Sequence, residues 1–476
     1  MKIIIKNWGP IANCEYDLDK AMIVTYGENN IGKSYAMQVV YLLLKHLILR
    51  SQSAILYYSD AYMHFYVPRQ GEKPEIRSLL MDFVMDGTIE IKDISEHLIF
   101  YLSIQLEEEL MEELSKSFEN TFGIYDQILQ ENPEIILDLE HGILCKLDMK
   151  DKRMKLNMQV KPVFLKKSGS EFHKSRENKK RYDIYVFENH ISTPIELVER
   201  RLADLKATFY RAVVSVIDAV YFLPASRSGI YTGMQSFGPV LAELSQNRAM
   251  IRGTIQIPSI SEPVSDYYLA LSSIRTERRS DLREIAREIE RTILKGEVLF
   301  DTKKKTIIYK REDLGQVLEM NDASSMVSEI APITAYLKYI VVNGKRRISR
   351  KPQETEERKP CSLIFIEEPE AHLHPSNQVI LMKKFVKLSK ENVKLMMASH
   401  SNYVFNELNN RVLAGDLVSD DYSPILMKME QGKSRTYTMH TDEFGTQDDN
   451  FVDVAETLYE ERENLILELV RKREAQ

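Results

Sequence analysis

Cysteine is scarce: Cys14, Cys145 and Cys361 are the only three in 476 residues, and they lie far apart. That spacing suits neither a disulfide framework nor a set of metal-ligating thiolates, so they read as buried or incidental thiols. Long apolar runs are also missing. The longest, Val39 to Leu44, falls far short of the roughly 18 residues a membrane-spanning helix needs, so no span and no membrane partner are expected. The N-terminus shows no charged segment, apolar stretch or small-residue cleavage site. Met1 leads straight into Lys2-Ile3-Ile4-Ile5, and the chain is expected to stay in the cytoplasm. Nor is there an overall basic excess. The net charge is −7, which argues against a surface coated for nucleic acid, although local distribution decides more than the total.

What is present is the composition of a globular protein, 43% hydrophobic and 28% charged, in a chain too long for one ordinary core. Two or three lobes are expected. Charge is unevenly spread: Glu107 to Glu140 holds eleven acidic residues and one basic, whereas Lys146 to Arg181 holds thirteen basic against four acidic. Two solvated faces of an inserted module account for both runs. The basic run is still the one local feature suited to DNA phosphates, through salt-sensitive contacts that ignore sequence.

Residues 1 to about 50 read as strand, turn, strand, loop and helix: Ile3 to Ile5, a Trp8-Gly9-Pro10 turn, Ala21 to Tyr26, then a Gly/Asn loop opening an apolar helix. Acidic helices around Ile94 to Leu114, and strand-like stretches at Ile143 to Met149 and Asp183 to Phe187, suggest an insertion. Ala219 to Leu223 reads as a strand. Leu282 to Ile293 reads as an amphipathic helix with Leu282, Ile285 and Ile289 on one face. Gly344 to Pro360 is charged and aperiodic, and is expected to be an exposed loop. After it come an apolar strand at Leu363 to Ile366, a helix from about Ser376 and a strand at Val393 to Met397.

Gly27-Glu28-Asn29-Asn30-Ile31-Gly32-Lys33-Ser34 fits G-x-x-x-x-G-K-[ST] between an apolar strand and a helix, the context a phosphate loop requires. Its glycines let the backbone wrap phosphate, its N–H groups and the helix N-terminus supply positive potential, Lys33 reaches the β and γ oxygens, and Ser34 can ligate Mg²⁺. ATP and Mg²⁺ are therefore the expected cofactors. Leu363-Ile364-Phe365-Ile366-Glu367-Glu368 ends four apolar residues in two carboxylates, as in a buried parallel strand that delivers acids at its C-terminal edge. Glu367 is placed to hold the Mg²⁺ shell, and Glu368 to orient the attacking water or take its proton.

The nine residues Glu367-Glu368-Pro369-Glu370-Ala371-His372-Leu373-His374-Pro375 resemble the acidic-strand and D-loop signature of OLD and RecF-like ATPases, relatives of SMC heads. The resemblance implies an α/β, ABC/SMC-head-type P-loop ATPase with a mixed central sheet and an inserted helical/β module. Its expected layout is an N-terminal head part in 1–60, the insert in 61–205, and the rest of the head in 206–476. It also implies that His400, in Ala398-Ser399-His400-Ser401, is the switch histidine at the γ-phosphate, and that His372 and His374 shape a turn rather than bind zinc. Ala323 to Glu329 looks like a divergent signature segment, in which Ser324 and Ser325 would meet a partner's γ-phosphate. The same two serines would serve equally as a plain helix N-cap. Leu223-Pro224-Ala225-Ser226-Arg227-Ser228-Gly229 also resembles a segment of this group. Arg227 near phosphate and Gln235 as the Q-loop residue are open readings, with structural roles as the alternative.

Such heads complete each site by pairing around ATP, so a head-to-head dimer or higher homo-oligomer is implied. The chain is similar to ATPase subunits of bacterial anti-phage systems, such as PtuA of Septu and AriA of PARIS. That implies a sensor and scaffold for a separate effector such as a nuclease. The alternative is a DNA-repair or recombination ATPase that binds DNA directly; a transport ATPase is disfavoured by the long insert. Only about 75 residues follow His400, and Asp420-Asp421 is too slight to stand for a Toprim domain, so no nuclease is expected in this chain. Lys33→Ala is expected to abolish nucleotide binding or turnover, measured with a fluorescent ATP analogue and by phosphate release.

Overall fold

The computed structural model describes residues 1–57, 74–86, 88–139, 142–168, 175–177, 180–186, 192–235, 260–276, 280–313, 315–341, 361–447 and 452–474. The charged stretch expected to be a loop, Gly344 to Pro360, lies outside them, as do several residues of the basic run. The chain begins with strands β1 (Lys2–Trp8), β2 (Ile11–Asp17) and β3 (Met22–Tyr26), then helix α1 (Lys33–Tyr57). Helix α2 (Pro74–Met85), strand β4 (Ile91–Asp93), and helices α3 (Ser95–Thr121) and α4 (Tyr125–Gln130) follow. Next come β5 (Glu134–Leu139), β6 (Ile143–Asp148), β7 (Arg153–Asn157), β8 (Val163–Lys167), β9 (Ser175–Glu177), β10 (Tyr182–Val186), helix α5 (Ser192–Val214) and β11 (Ile217–Leu223). The later strands are β12 (Gly296–Asp301), β13 (Thr306–Arg311), β14 (Val317–Glu319), β15 (Cys361–Glu367), β16 (Val393–Ser399), β17 (Tyr422–Glu430) and β18 (Lys433–Thr438).

The described residues fall into two compact units, one drawn from Met1–Gly9 and Leu42–Ala219, the other from Pro10–Tyr41, Val220–Gln353 and Cys361–Gln476. In the first, β1, β5, β6 and β7 pair antiparallel in that order. Strand alternation buries Ile135, Leu137 and Leu139 on β5 and Ile143, Cys145 and Leu147 on β6. Leu98, Leu102, Leu106, Leu110 and Leu114, spaced by four along α3, form its buried stripe. Trp8 closes the end of this core with ring centroids 4.7 Å from Phe118 and 5.6 Å from Phe122. The acidic and basic runs meet in two pairs, Glu107 with Arg153 at 3.3 Å and Lys146 with Glu134 at 2.6 Å, and each also finds a partner outside them, Glu109 with Lys206 and Lys166 with Asp183 at 2.7 Å. Pairs of this kind add little stability, but they take up the positive charge that a nucleic-acid surface would need.

The second unit is built on a mixed sheet in the order β11-β15-β16-β3-β17-β18-β2, joined from the Val220–Leu223 end of β11. Strands β15, β16, β3 and β17 run parallel, and β18 returns antiparallel to β17. All seven residues of β15 and all five of β3 are buried, the pattern of central parallel strands with both faces covered. Their register aligns Glu367 with Ala398, and Ser399 with Tyr26, so three strands finish at one edge. Leu282, Ile285 and Ile289 are buried as expected, and helical backbone runs over the expected stretch, though only part of it is α-helical. Its α-helical part is Arg283–Ile289, and a π-helical turn, Glu290–Leu294, continues it. That turn carries Glu290 to the fully buried Lys338 at 2.7 Å. No helix among the described residues is long and apolar enough to cross a membrane.

All three thiols are buried and none is in a disulfide, and burial pushes Cys14 and Cys145 up to about 12. Thiolate is the reactive form. Ellman's reagent at about pH 8 is therefore expected to leave the native chain essentially unlabelled, and to titrate three thiols after denaturation.

Candidate functional site

The loop from Gly27 to Ser34 runs from the end of β3 into the first turn of α1, wholly within the second unit. Gly27 has φ 140° and Gly32 φ 95°. A Cβ on Gly27 would sit 2.4 Å from the Met427 carbonyl oxygen and 2.7 Å from Ile31 Cδ1, so no other residue fits there. Asn30 is also left-handed, at φ 62°, which asparagine tolerates better than most side chains. Ile31 is buried beneath the loop, and its carbonyl accepts from Ser434 Oγ at 2.5 Å. Glu28, Asn29 and Asn30 are exposed at the loop's tip.

Lys33 is buried to 5% exposure and folds back along the loop. Its Nζ donates to the carbonyls of Gly27 at 2.9 Å and Glu28 at 2.5 Å, and lies 3.4 Å from His400 Nδ1. Burial lowers its pKa to about 8, against the opposing pull of Glu368, Glu370 and Glu28. His400 is shifted down as well, by burial and then by the Lys33 charge, which favours a neutral imidazole. Glu367, at the end of β15, is buried, which raises its pKa. Three neighbours meet its carboxylate: a hydrogen bond from the Ser34 side chain, the Ala225 amide at 3.0 Å and Gln38 Nε2 at 3.5 Å. Residues 33–38 on α1, 225 after β11, 367 and 400 thus converge on one sheet edge.

Glu368 is the next residue along, with φ 44°. Its amide donates to the Ala398 carbonyl at 2.9 Å, and its side chain is close enough to act electrostatically on both Lys33 and His400. The D-loop turn after it braces the histidine: Glu370 Oε1 accepts from the His400 amide at 2.6 Å and from Ser399 Oγ at 2.9 Å. Ser401 caps the helix Asn402–Leu413 and donates to Gln378 at 2.5 Å. His372 is left-handed, at φ 58°, and His374 N-caps the helix Pro375–Ser389 by accepting from the Ser376 amide.

Ser324 and Ser325 are exposed at the start of the helix Ser325–Ala335, where Ser324 is the N-cap and accepts from the Val327 amide. Among the described residues no hydrogen bond joins either serine to the phosphate loop. Gln235 is not at the phosphate loop; its side chain donates to Thr306 Oγ1 at 2.7 Å. Of the further residues that touch Glu367 or His400, Ala225 and Glu370 lie in the segments quoted above without a role of their own, and Gln38 escaped sequence reasoning. Gln38 is one helical turn beyond Ser34, on the face that a phosphate-loop helix turns toward the acidic strand, and that spacing is the signal that would have found it.

A glycine-shaped phosphate loop whose lysine and serine meet a buried strand-end acid and a histidine defines an α/β P-loop ATPase. The chain belongs to the AAA ATPase domain family, whose model matches residues 1–405. Nucleotide binding follows from that membership. Among solved structures, the SMC head bound to the C-winged helix domain of ScpA aligns over 93% of this chain and 98% of its own, at 10% identity and a TM-score of 0.35. The SMC head domain from Thermotoga maritima aligns over 92% and 98%, at 9% identity and a TM-score of 0.34. No curated protein matches the chain.

Since a Cβ at position 27 has no room, Gly27→Ala must push the loop off Met427. The expected outcome is at least about a tenfold loss of ATP affinity, read by equilibrium binding, with a lowered melting temperature.

Proposed function

We propose that the chain is an ABC/SMC-head-type ATPase that binds ATP and Mg²⁺ at the Gly27–Ser34 loop and hydrolyses ATP at Glu368. The cycle controls a separate effector protein, such as a nuclease, in bacterial anti-phage defence. The observation that carries the ATPase reading is the meeting of Lys33 with His400 and of Ser34 with Glu367, side chains more than three hundred positions apart.

In this reading the backbone N–H groups from Gly27 to Gly32 cradle the phosphates, and Lys33 trades its contacts with the Gly27 and Glu28 carbonyls for phosphate oxygens. The Ser34 hydroxyl and Glu367 carboxylate form a hard oxygen donor pair of the kind Mg²⁺ prefers, with the Gln38 amide beside them. Mg²⁺ supplies neutralisation of phosphate charge. Glu368 takes a proton from the attacking water as that oxygen bonds to the γ-phosphorus and the bond to the ADP oxygen breaks. His400, neutral and braced by Glu370, contacts the γ-phosphate as the switch residue.

Ser324 and Ser325, exposed on a helix N-terminus, suit contact with the γ-phosphate held by a second copy, so that ATP joins two heads and hydrolysis releases them. The effector and the defence role are supported by the resemblance of Glu367 to Pro375 to OLD and RecF-like ATPases. DNA is the less favoured partner, because Lys146, Arg153, Lys161 and Lys166 of the basic run are already in ion pairs. Glu368→Gln is expected to keep ATP bound while slowing turnover about a hundredfold or more, and to show twice the chain mass by light scattering with ATP. Parental turnover would remove Glu368 from its role, and a mass unmoved by ATP would remove the head pairing.

A further inference from the structure

The phosphate-site reading leaves one demanding residue without a task. Arg227, in the loop after β11, is 0% exposed. Burying a guanidinium is unfavourable unless its N–H groups are met. They are met almost entirely by backbone. Nη1 donates to the carbonyls of Glu367 at 2.7 Å and Pro224 at 3.2 Å, Nη2 to the carbonyl of Glu368 at 3.1 Å, and Nε to the carbonyl of Glu329 at 3.1 Å. The Glu329 carboxylate lies 3.3 Å from Nε, and its other oxygen accepts from the Ser228 amide and hydroxyl at 3.2 and 2.6 Å.

Two features set this apart from a buried charge that is merely satisfied. The carbonyl on Nη2 belongs to Glu368, which stands in the left-handed region at φ 44°, a conformation a glutamate keeps only when its surroundings enforce it. The Glu368 amide is held by Ala398 on one side of its Cα, and its carbonyl by Arg227 on the other. Together they fix the direction in which its side chain leaves the backbone. At the opposite end, Glu329 sits in the second turn of the Ser325–Ala335 helix, directly behind Ser324 and Ser325.

We infer that Arg227 is a positioning residue for hydrolysis: it holds the backbone of Glu368 in its left-handed conformation and, through Glu329, ties that conformation to the Ser325–Ala335 helix. The inference rests on the reading of Glu368 as the residue that takes the proton from water. Arg227 itself touches no substrate; it acts through Glu368.

The test uses the full chain with Mg²⁺ and ATP. Arg227→Lys keeps a charge but cannot meet several carbonyls in one plane, and Glu329→Gln keeps the acceptor for Ser228 while removing the charge opposite the guanidinium. Glu329→Gln decides the matter should Arg227→Lys not fold. Each is expected to lower kcat at least about tenfold with the ATP Kd changed less than about threefold. Arg227→Lys added to Glu368→Gln is expected to cause no further loss, because its effect passes through Glu368. A folded variant with parental kcat overturns the inference, as does a fall in affinity equal to the fall in kcat, or a full additional loss in the Glu368→Gln background. Loss in Glu368→Gln with none in the other two overturns this inference alone. Parental turnover in Glu368→Gln overturns it together with the reading beneath it.

Discussion

The register of three parallel strands governs the chemistry of the second unit. β15 pairs with β16 so that Glu367 faces Ala398, and β16 pairs with β3 so that Ser399 faces Tyr26. Strands lie about 4.8 Å apart, so residues from the beginning and from two places in the last third of the chain are brought within side-chain reach. A slip of one residue would turn every side chain to the opposite face and carry Glu367 away from Ser34. What prevents the slip is apolar packing below the edge. On one face of the sheet Phe365 stacks on Phe222 at 6.1 Å and meets Tyr41 at 5.6 Å, and on the other Ile364, Ile366, Leu395 and Met397 are buried in one core. Each such side chain stabilises by about 1.5–3 kcal/mol, against about 0.5–1.5 kcal/mol for a hydrogen bond at the edge. The polar groups are therefore placed by the core, not the core by the polar groups.

That hierarchy explains what could be read from the sequence. Leu363 to Ile366 announces a buried strand because four consecutive apolar residues suit a strand covered on both faces, and β15 extends it by only a few residues. The Gly27 to Ser34 loop is legible because each residue type answers a local demand, as the space at Gly27 illustrates. Contacts made by residues without such a demand were not legible. Gln38 looks like any polar residue on a helix until its strand neighbour is known. Arg227 bonds to carbonyls more than a hundred positions away, and sequence pattern carries no trace of a backbone acceptor. The helix around Leu282 shows a subtler limit, because three apolar residues fit a 3.6-residue period whether or not the last turn widens to π geometry.

The two compact units solve their charge problems differently. The first spreads carboxylates and cations over its surface and pairs many of them there, where water still screens them. The second buries several charges and surrounds them: Lys338 with Glu290 and the Val298 carbonyl, Arg227 with Glu329 and three further carbonyls. Removing one member of a buried pair costs about 3–5 kcal/mol, because the other is left charged and dry. The second unit therefore holds its polar geometry with far less freedom.

The left-handed backbone at position 368 places durability and work in opposition. A glutamate held there carries about 1–3 kcal/mol of local strain, which glycine would largely relieve and asparagine would lessen. Either replacement would also delete the carboxylate. Heat resistance alone, acting as the selective pressure, would drive this position away from an acid. In the proposed reading, in which Glu368 takes the proton from water, the variants at this position that resist heat best are therefore expected to be the poorest ATPases.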